Sequence, residues 1–315
     1  AINQVSNRNI LTNRNETFCH VDTESKIIYL TTKSNIQYMC HNSSLLVADG
    51  TFYVCPKFFY QLYTIHAYSC GRYLHLIYCL LPSKTSNCYE SMWKYIQKLC
   101  ENYNLEFFPK TLLVDFEKAA HDGFLAVFPN SKIKCCKFHL GQSWFRKIQS
   151  LGLRNEYTKN SEIGIWLKSF FGLAFLPCTE VSEAFADLMS IAPDDQTISK
   201  FSDYILETYI YSSIFPSEIW AEIPDSEVIR TTNAAESYHR HLKDQFYVAH
   251  CSVHIVIDVL LKLQSETYLF MNSPPKNKLR ISHDEIIVQW KKYQDGEINR
   301  MEYIKKVGLK NQPIY

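Results

Sequence analysis

Residues 43–52 read Ser-Ser-Leu-Leu-Val-Ala-Asp-Gly-Thr-Phe, and residues 111–120 read Thr-Leu-Leu-Val-Asp-Phe-Glu-Lys-Ala-Ala. Each is a short aliphatic run that closes on an aspartate, Asp49 or Asp115. Apolar runs of this length, bounded by turn formers, predict buried strands. Between them, QLYTIHAYS (61–69) and RYLHLIYCLL (72–81) are Tyr- and Ile-rich runs split by Ser69-Cys70-Gly71-Arg72, a hairpin signal. Pro82 stops the second strand. Asn87 is then the expected cap of a helix whose apolar face is Met92, Trp93, Ile96, Leu99, Cys100 and Tyr103, spaced i, i+3, i+4. After Asp115 come helix-prone residues up to Pro129. SKIKCCKFHL (131–140) predicts a fifth strand that leads into a helix rich in Trp144, Phe145 and Ile148. Three hairpin-joined strands followed by strand–helix alternation predict an α/β fold, a mixed sheet with covering helices.

Outward from this core the texture changes. Residues 1–43 are polar and Asn-rich with two β-prone pieces, KIIYLTT among them, and read as a peripheral lead-in. From about Gly164 to Ile219 the pattern is helical throughout. Further helices are expected near Asn233, through VHIVIDVLLKLQSETYLF (253–270) and in the basic tail. The resulting division is a first core part at 44–150, an acidic helical block at 151–230, a core helix at 231–250 and a C-terminal helical region at 251–315. The chain opens on Ala1 rather than Met, so it reads as part of a longer protein whose upstream modules are not in view.

Composition narrows the function classes. With 46% hydrophobic and 21% charged residues, the 315-residue chain has the make-up of a folded globular protein. No apolar run approaches the roughly 18 residues a membrane helix needs, and no membrane partner is expected. The net charge of +1 hides an asymmetry: residues 178–229 hold eleven acids against one base, Lys200, which leaves the rest distinctly basic. Such a basic body suits a polyanion; a solvated helical face is the plainer reading of the acidic block. Eleven cysteines without one C-x-x-C support neither a zinc ribbon nor a disulfide scaffold. Nine glycines and no phosphate-cradling loop argue against nucleotide binding of the glycine-loop kind.

The residues that can carry chemistry each have a structural alternative. A carboxylate at the end of a buried strand needs a cation, a donor or water to receive it. Asp49 and Asp115, at the carboxyl ends of neighbouring strands, could share one hard cation such as Mg²⁺ or Mn²⁺. Alternatively, Asp49 opens an Asp-Gly turn and Asp115 caps a helix starting at Phe116. Glu236, in RTTNAAESYHRHLK, sits three positions after Asn233 in capping-box spacing, with His239 and Arg240 on its face. Cys136 and His139 form a C-x-x-H, and the plain reading is a packed cysteine and a hydrogen-bonded histidine. Around them Lys132, Lys134, Lys137, Arg146 and Lys147 are interleaved with Phe138, Trp144 and Phe145, a pattern that suits a nucleic-acid backbone.

Taken together, ADGTF, VDFEKAA, the C-x-x-H after the next strand and NAAESYHRHLK resemble the transposase domain of Mutator-like elements. The resemblance runs from about Ser44 to Phe246. It rests on motif order and on the spacing: sixty-six positions from Asp49 to Asp115, then 121 to Glu236. It implies an RNase H-like core interrupted by an all-helical insertion before the last acid. It also implies a DDE-type recombinase in which Asp49, Asp115 and Glu236 hold two Mg²⁺ or Mn²⁺ ions for DNA cleavage and strand transfer. Cys136 and His139 match the family's C-x-x-H, and with His239 and Arg240 they are expected to support the site. DNA is the implied partner, bound in the nucleus by a homo-oligomer. The alternative is a domesticated derivative that regulates DNA or chromatin without cutting. Residues 1–43 and 250–315 carry no motif of the family, and no zinc-finger pattern of the kind that often reads element ends is present.

Overall fold

The computed structural model describes residue 5 and residues 9–69, 72–159, 161–224, 233–273 and 284–311, with the backbone alone at 72, 233–237 and 284. The described chain divides into two units, residues 1–133 with 232–278, and residues 134–231 with 279–315.

In the first unit the polar lead-in is not peripheral to the sheet. It supplies β1 (Cys19–Asp22) and β2 (Ile27–Leu30). The four residues of β2 are fully buried, because an Ile-Ile-Tyr-Leu run has no polar face to show to water. A helix, α1 (Lys33–His41), follows, capped by the Thr32 side chain on the Asn35 amide. Then come β3 (Leu45–Thr51), β4 (Gln61–Ser69) and β5 (Arg72–Leu81). The β4–β5 pairing runs out to Ser69 opposite Arg72, as a hairpin requires, although Cys70 and Gly71 lie outside the described residues. Helix α2 (Ser86–Asn102) is capped by Thr85, one residue before the Ser86 start and not by Asn87. β6 (Thr111–Val114), α3 (Lys118–Val127) and β7 (Lys132–Cys135) complete the alternation. At β7 the chain passes from one unit to the other.

The seven strands lie in the order β1-β2-β5-β4-β3-β6-β7. β3 is antiparallel to β4 and parallel to β6, so the sheet is mixed, with β4 at its centre and β3 beside it. A seven-stranded mixed sheet with flanking helices is compatible with an RNase H-like fold. One face is covered by α9 (Asn233–Asp244) and α10 (Val253–Met271), whose Tyr238, Leu242, Val256 and Leu260 share a core with Leu30, Leu62 and Leu80. On the other, Tyr95 of α2 stacks on Tyr29 at 4.4 Å, and Trp93 meets Phe124 of α3 at 5.1 Å. Covering both faces is what buries the central strands along most of their length.

The second unit, apart from its share of β7, is helical. It holds α4 (Lys137–Ser150), α5 (Arg154–Thr158), α6 (Glu162–Ser169), α7 (Val181–Ser190) and α8 (Gln196–Ile205), with 3₁₀ turns at Phe170–Phe175, and α11 (Asp284–Gln294) and α12 (Arg300–Lys310). Its core is aromatic: Trp144 lies edge-on to Phe171, Tyr209 and Trp220 at 5.6, 5.6 and 5.9 Å. Arg300 ties α12 to α7 through Asp187 at 2.8 Å and Glu183 at 2.7 Å, so part of the acidic block is neutralised within its own unit. Among the described residues no helix is long and apolar enough to cross a membrane.

Candidate active site

Asp49 does not end its strand. β3 runs on through Gly50 to Thr51, so the Asp-Gly pair is extended backbone and not a turn. The register of β3 on β6 is Leu45↔Thr111, Leu46↔Leu112, Val47↔Leu113. Continued by two positions, that register puts Asp49 level with Asp115. Residues level on adjacent strands share a face and lie about 4.8 Å apart. Asp115 follows the last residue of β6 and does not cap a helix, because α3 starts at Lys118 with Glu117 in the cap position. The two acids therefore lie side by side on the neighbouring strands β3 and β6.

The electrostatics carry the same message. Burial, then the charges of Asp49 and Glu117, push the Asp115 carboxyl up to about 7, with Lys84 pulling the other way. Asp49 is 6% exposed, and its Oδ1 accepts the Gly50 amide at 2.9 Å. Its Oδ2 faces His239 Nδ1 of α9 at 3.3 Å. Thr64, level with Asp49 on β4, lies 2.9 Å from His239 Nε2 and donates to the Asp49 carbonyl at 3.1 Å. Behind it, His66 Nε2 sits 2.8 Å from the Thr64 hydroxyl, and His75 Nδ1 sits 2.6 Å from His66 Nδ1. Burial holds both of these imidazoles well below their usual range, so they are neutral members of a buried hydrogen-bond chain that ends on Asp49.

A third acid beside the pair is Glu117, which sequence reasoning passed over although it stands two residues from Asp115. Its oxygens go to Lys84 Nζ at 3.2 Å and to the Tyr89 hydroxyl at 2.8 Å, and Tyr89 in turn takes a hydrogen bond from Gln61 at 2.6 Å. Glu117 is thus neutralised, while Asp49 and Asp115 keep an oxygen-only donor set suited to a hard cation. Their mutual repulsion is what such a cation would relieve. Among the described residues no three His, Cys, Asp or Glu side chains are placed to hold a metal ion. Glu236 falls on α9, but its side chain lies outside the described residues, as does that of Asn233. Arg240 is exposed.

The remaining predicted residues divide by unit. Cys136 and His139 are not on one strand, since Cys136 is the buried backbone cap of α4 and His139 stands in that helix's first turn. Both fall in the second unit. Of the five basic residues, Lys134 pairs with Glu222 at 3.3 Å, and Lys137 donates to the Glu222 carbonyl at 3.0 Å and covers the Phe175 ring at 4.3 Å. Lys147 sits over Tyr204 at 4.9 Å, whereas Lys132 and Arg146 are exposed. The acidic block thus claims some of the bases that the linear pattern assigned to phosphate.

Residues 45–143 match the MULE transposase domain. This segment is similar to the Mutator-like transposases. The match takes in both aspartates, Glu117, Cys136 and His139, and ends before α9. A comparison with curated proteins found no match. A transposase domain implies interaction with DNA, and Asp49 and Asp115 both lie within the matched segment.

Proposed function

We propose that the chain is the catalytic part of a DDE-type DNA transposase that cleaves phosphodiesters and transfers strands at element ends, acting in the nucleus as a DNA-bound oligomer. The observation that carries this reading is the level placement of Asp49 and Asp115 on neighbouring parallel strands inside the matched segment. Position 236 stands one helical turn before His239, the residue that reaches Asp49, and this supports Glu236 as the third ligand. The helical stretch between Asp115 and α9 is then an insertion into an RNase H-like core.

Two Mg²⁺ or Mn²⁺ ions held about 4 Å apart by such acids would activate the attacking oxygen and stabilise the leaving one. The protein's own task is positioning. The Gly50 amide and His239 fix the two oxygens of Asp49, Thr64 fixes the imidazole, and Lys84 with Tyr89 keeps Glu117 turned to itself. Outer hydrogen bonds of this kind commonly govern metal affinity and activity by 10–100-fold.

The test is nicking and strand transfer by purified protein with Mg²⁺ or Mn²⁺. Asp49→Asn, Asp115→Asn and Glu236→Gln are each expected to abolish both reactions without lowering the thermal midpoint of the metal-free protein. Variants that cut like the parent refute the assignment. A parent that binds DNA and never cuts it establishes the domesticated, regulatory alternative instead.

A further inference from the structure

The loop between β3 and β4 displays aromatic rings where an ordinary surface would bury them. Phe52 is 46% exposed, Phe58 80% and Tyr60 52%. The loop is pinned beneath them, because Val54, Cys55 and Phe59 are buried. Its backbone is held by Tyr60 N–H on the Leu81 carbonyl at 2.7 Å, His250 N–H on the Tyr53 carbonyl at 2.9 Å and the His250 ring on the Cys55 carbonyl at 3.0 Å. The outward rings are therefore a fixed feature of the surface. Phe52 and Tyr60 meet edge to face at 5.8 Å. Lys84 Nζ lies over both, 4.9 and 5.6 Å from the ring centroids, and the same ammonium binds Glu117 beside Asp115. Phe52 follows Asp49 by three residues, so their Cα atoms are at most about 11 Å apart.

Charge selects the occupant. Lys57 is exposed on the same loop and Lys84 borders the rings, so cations and π-faces are combined within reach of the acids. That is the composition of surfaces that hold a nucleic-acid strand by stacking its bases and meeting its phosphates. A ring cannot stack on a base still paired inside a duplex, so the base must be unpaired. We infer that Phe52, Tyr60 and Phe58 form a stacking platform for an unpaired DNA base beside the scissile phosphate, with Lys57 and Lys84 meeting adjacent phosphates. This inference rests on the proposed function and assigns to that site the strand state it handles.

Binding is measured in EDTA, so that cleavage plays no part, with a single-stranded oligonucleotide carrying one 2-aminopurine and with its fully paired duplex. The parent is expected to quench the probe in the single strand. A Phe52→Ala/Tyr60→Ala variant is expected to lose the quench and about tenfold in single-strand affinity, with duplex affinity unchanged. Phe52→Trp/Tyr60→Phe is expected to restore both. Because these side chains are exposed, an unchanged thermal midpoint separates binding from folding. Equal quenching by the alanine variant, an equal loss on duplex, or patch-dependent self-association in place of DNA binding overturns the platform. Nicking assays fail or succeed separately: an Asp49→Asn protein that keeps the quench leaves the platform standing whatever becomes of the catalytic reading.

Discussion

Asp115 shows what one side chain reports about its surroundings. Its folded pKa, about 7, exceeds the unfolded carboxylate value near 4, so the folded state binds its proton more tightly. The metal-free protein is therefore not penalised at this group below about pH 4 and loses stability as pH rises through about 7. Each pKa unit corresponds to about 1.4 kcal/mol, so the loss is at most about 4 kcal/mol, and less with solvent screening. Asp115→Asn is expected to flatten that slope, as thermal melts between pH 4 and pH 8 would read. The same slope in the variant would show that the acids do not press on each other. His239 marks the opposite case. The sequence named it as a neighbour of Glu236, yet nothing in a heptad-free polar helix announced that its ring would reach Asp49.

At the scale of elements, the bare Gly50 on β3 leaves room for a buried side chain of the neighbouring strand. A Cβ on Gly50 would run into Gln61 Oε1 on β4. Gln61 begins the chain through Tyr89 to Glu117 and Lys84, so this contact sets how the acids' third neighbour is held. Gly50→Ala is expected to cost about 1–3 kcal/mol as an overpacking substitution. It should also lower nicking by displacing Gln61, whereas Thr51→Ser, whose side chain points to the opposite face of β3, should leave both unchanged. Denaturant titration paired with nicking rates would check this, and a stable, fully active Gly50→Ala protein would refute it. The Asp-Gly pair was read as a possible turn because in sequence those residues are turn formers. Pairing of Asp49 and Gly50 with Thr64 and Tyr63 of β4 overrides that preference, since a turn would forfeit it.

For the whole molecule, the proposed cation acts on the folding equilibrium of the first unit. A ligand that binds only the folded state stabilises it by about 2.7 kcal/mol at a hundredfold excess over its Kd. Mg²⁺ or Mn²⁺ is therefore expected to raise the thermal midpoint of the parent most above about pH 7, where the Asp115 carboxyl has given up its proton, and to leave Asp49→Asn/Asp115→Asn unmoved. An equal rise in the double variant would place the cation elsewhere. The second unit should respond less to the ion, since its Glu183 and Asp187 are already paired with Arg300 and its Glu222 with Lys134.

Local pattern alone determined the strands and most of the helices, because aliphatic runs of four to ten residues and i, i+3, i+4 stripes are written within a single element. Asp49 and Asp115 were legible for the same reason, each closing an apolar run. Tertiary structure decided what no window of sequence contains. It set the register that lays the two aspartates level, drew the polar lead-in into the sheet as β1 and β2, and gave Asp49 a histidine from a helix 190 positions away. It also gave Lys134 and Lys137 to Glu222 where charge pattern had offered them to phosphate. The physical reason is common to all of these: burial and charge pairing act through space over a few ångströms, whereas sequence records only which groups are available to be paired.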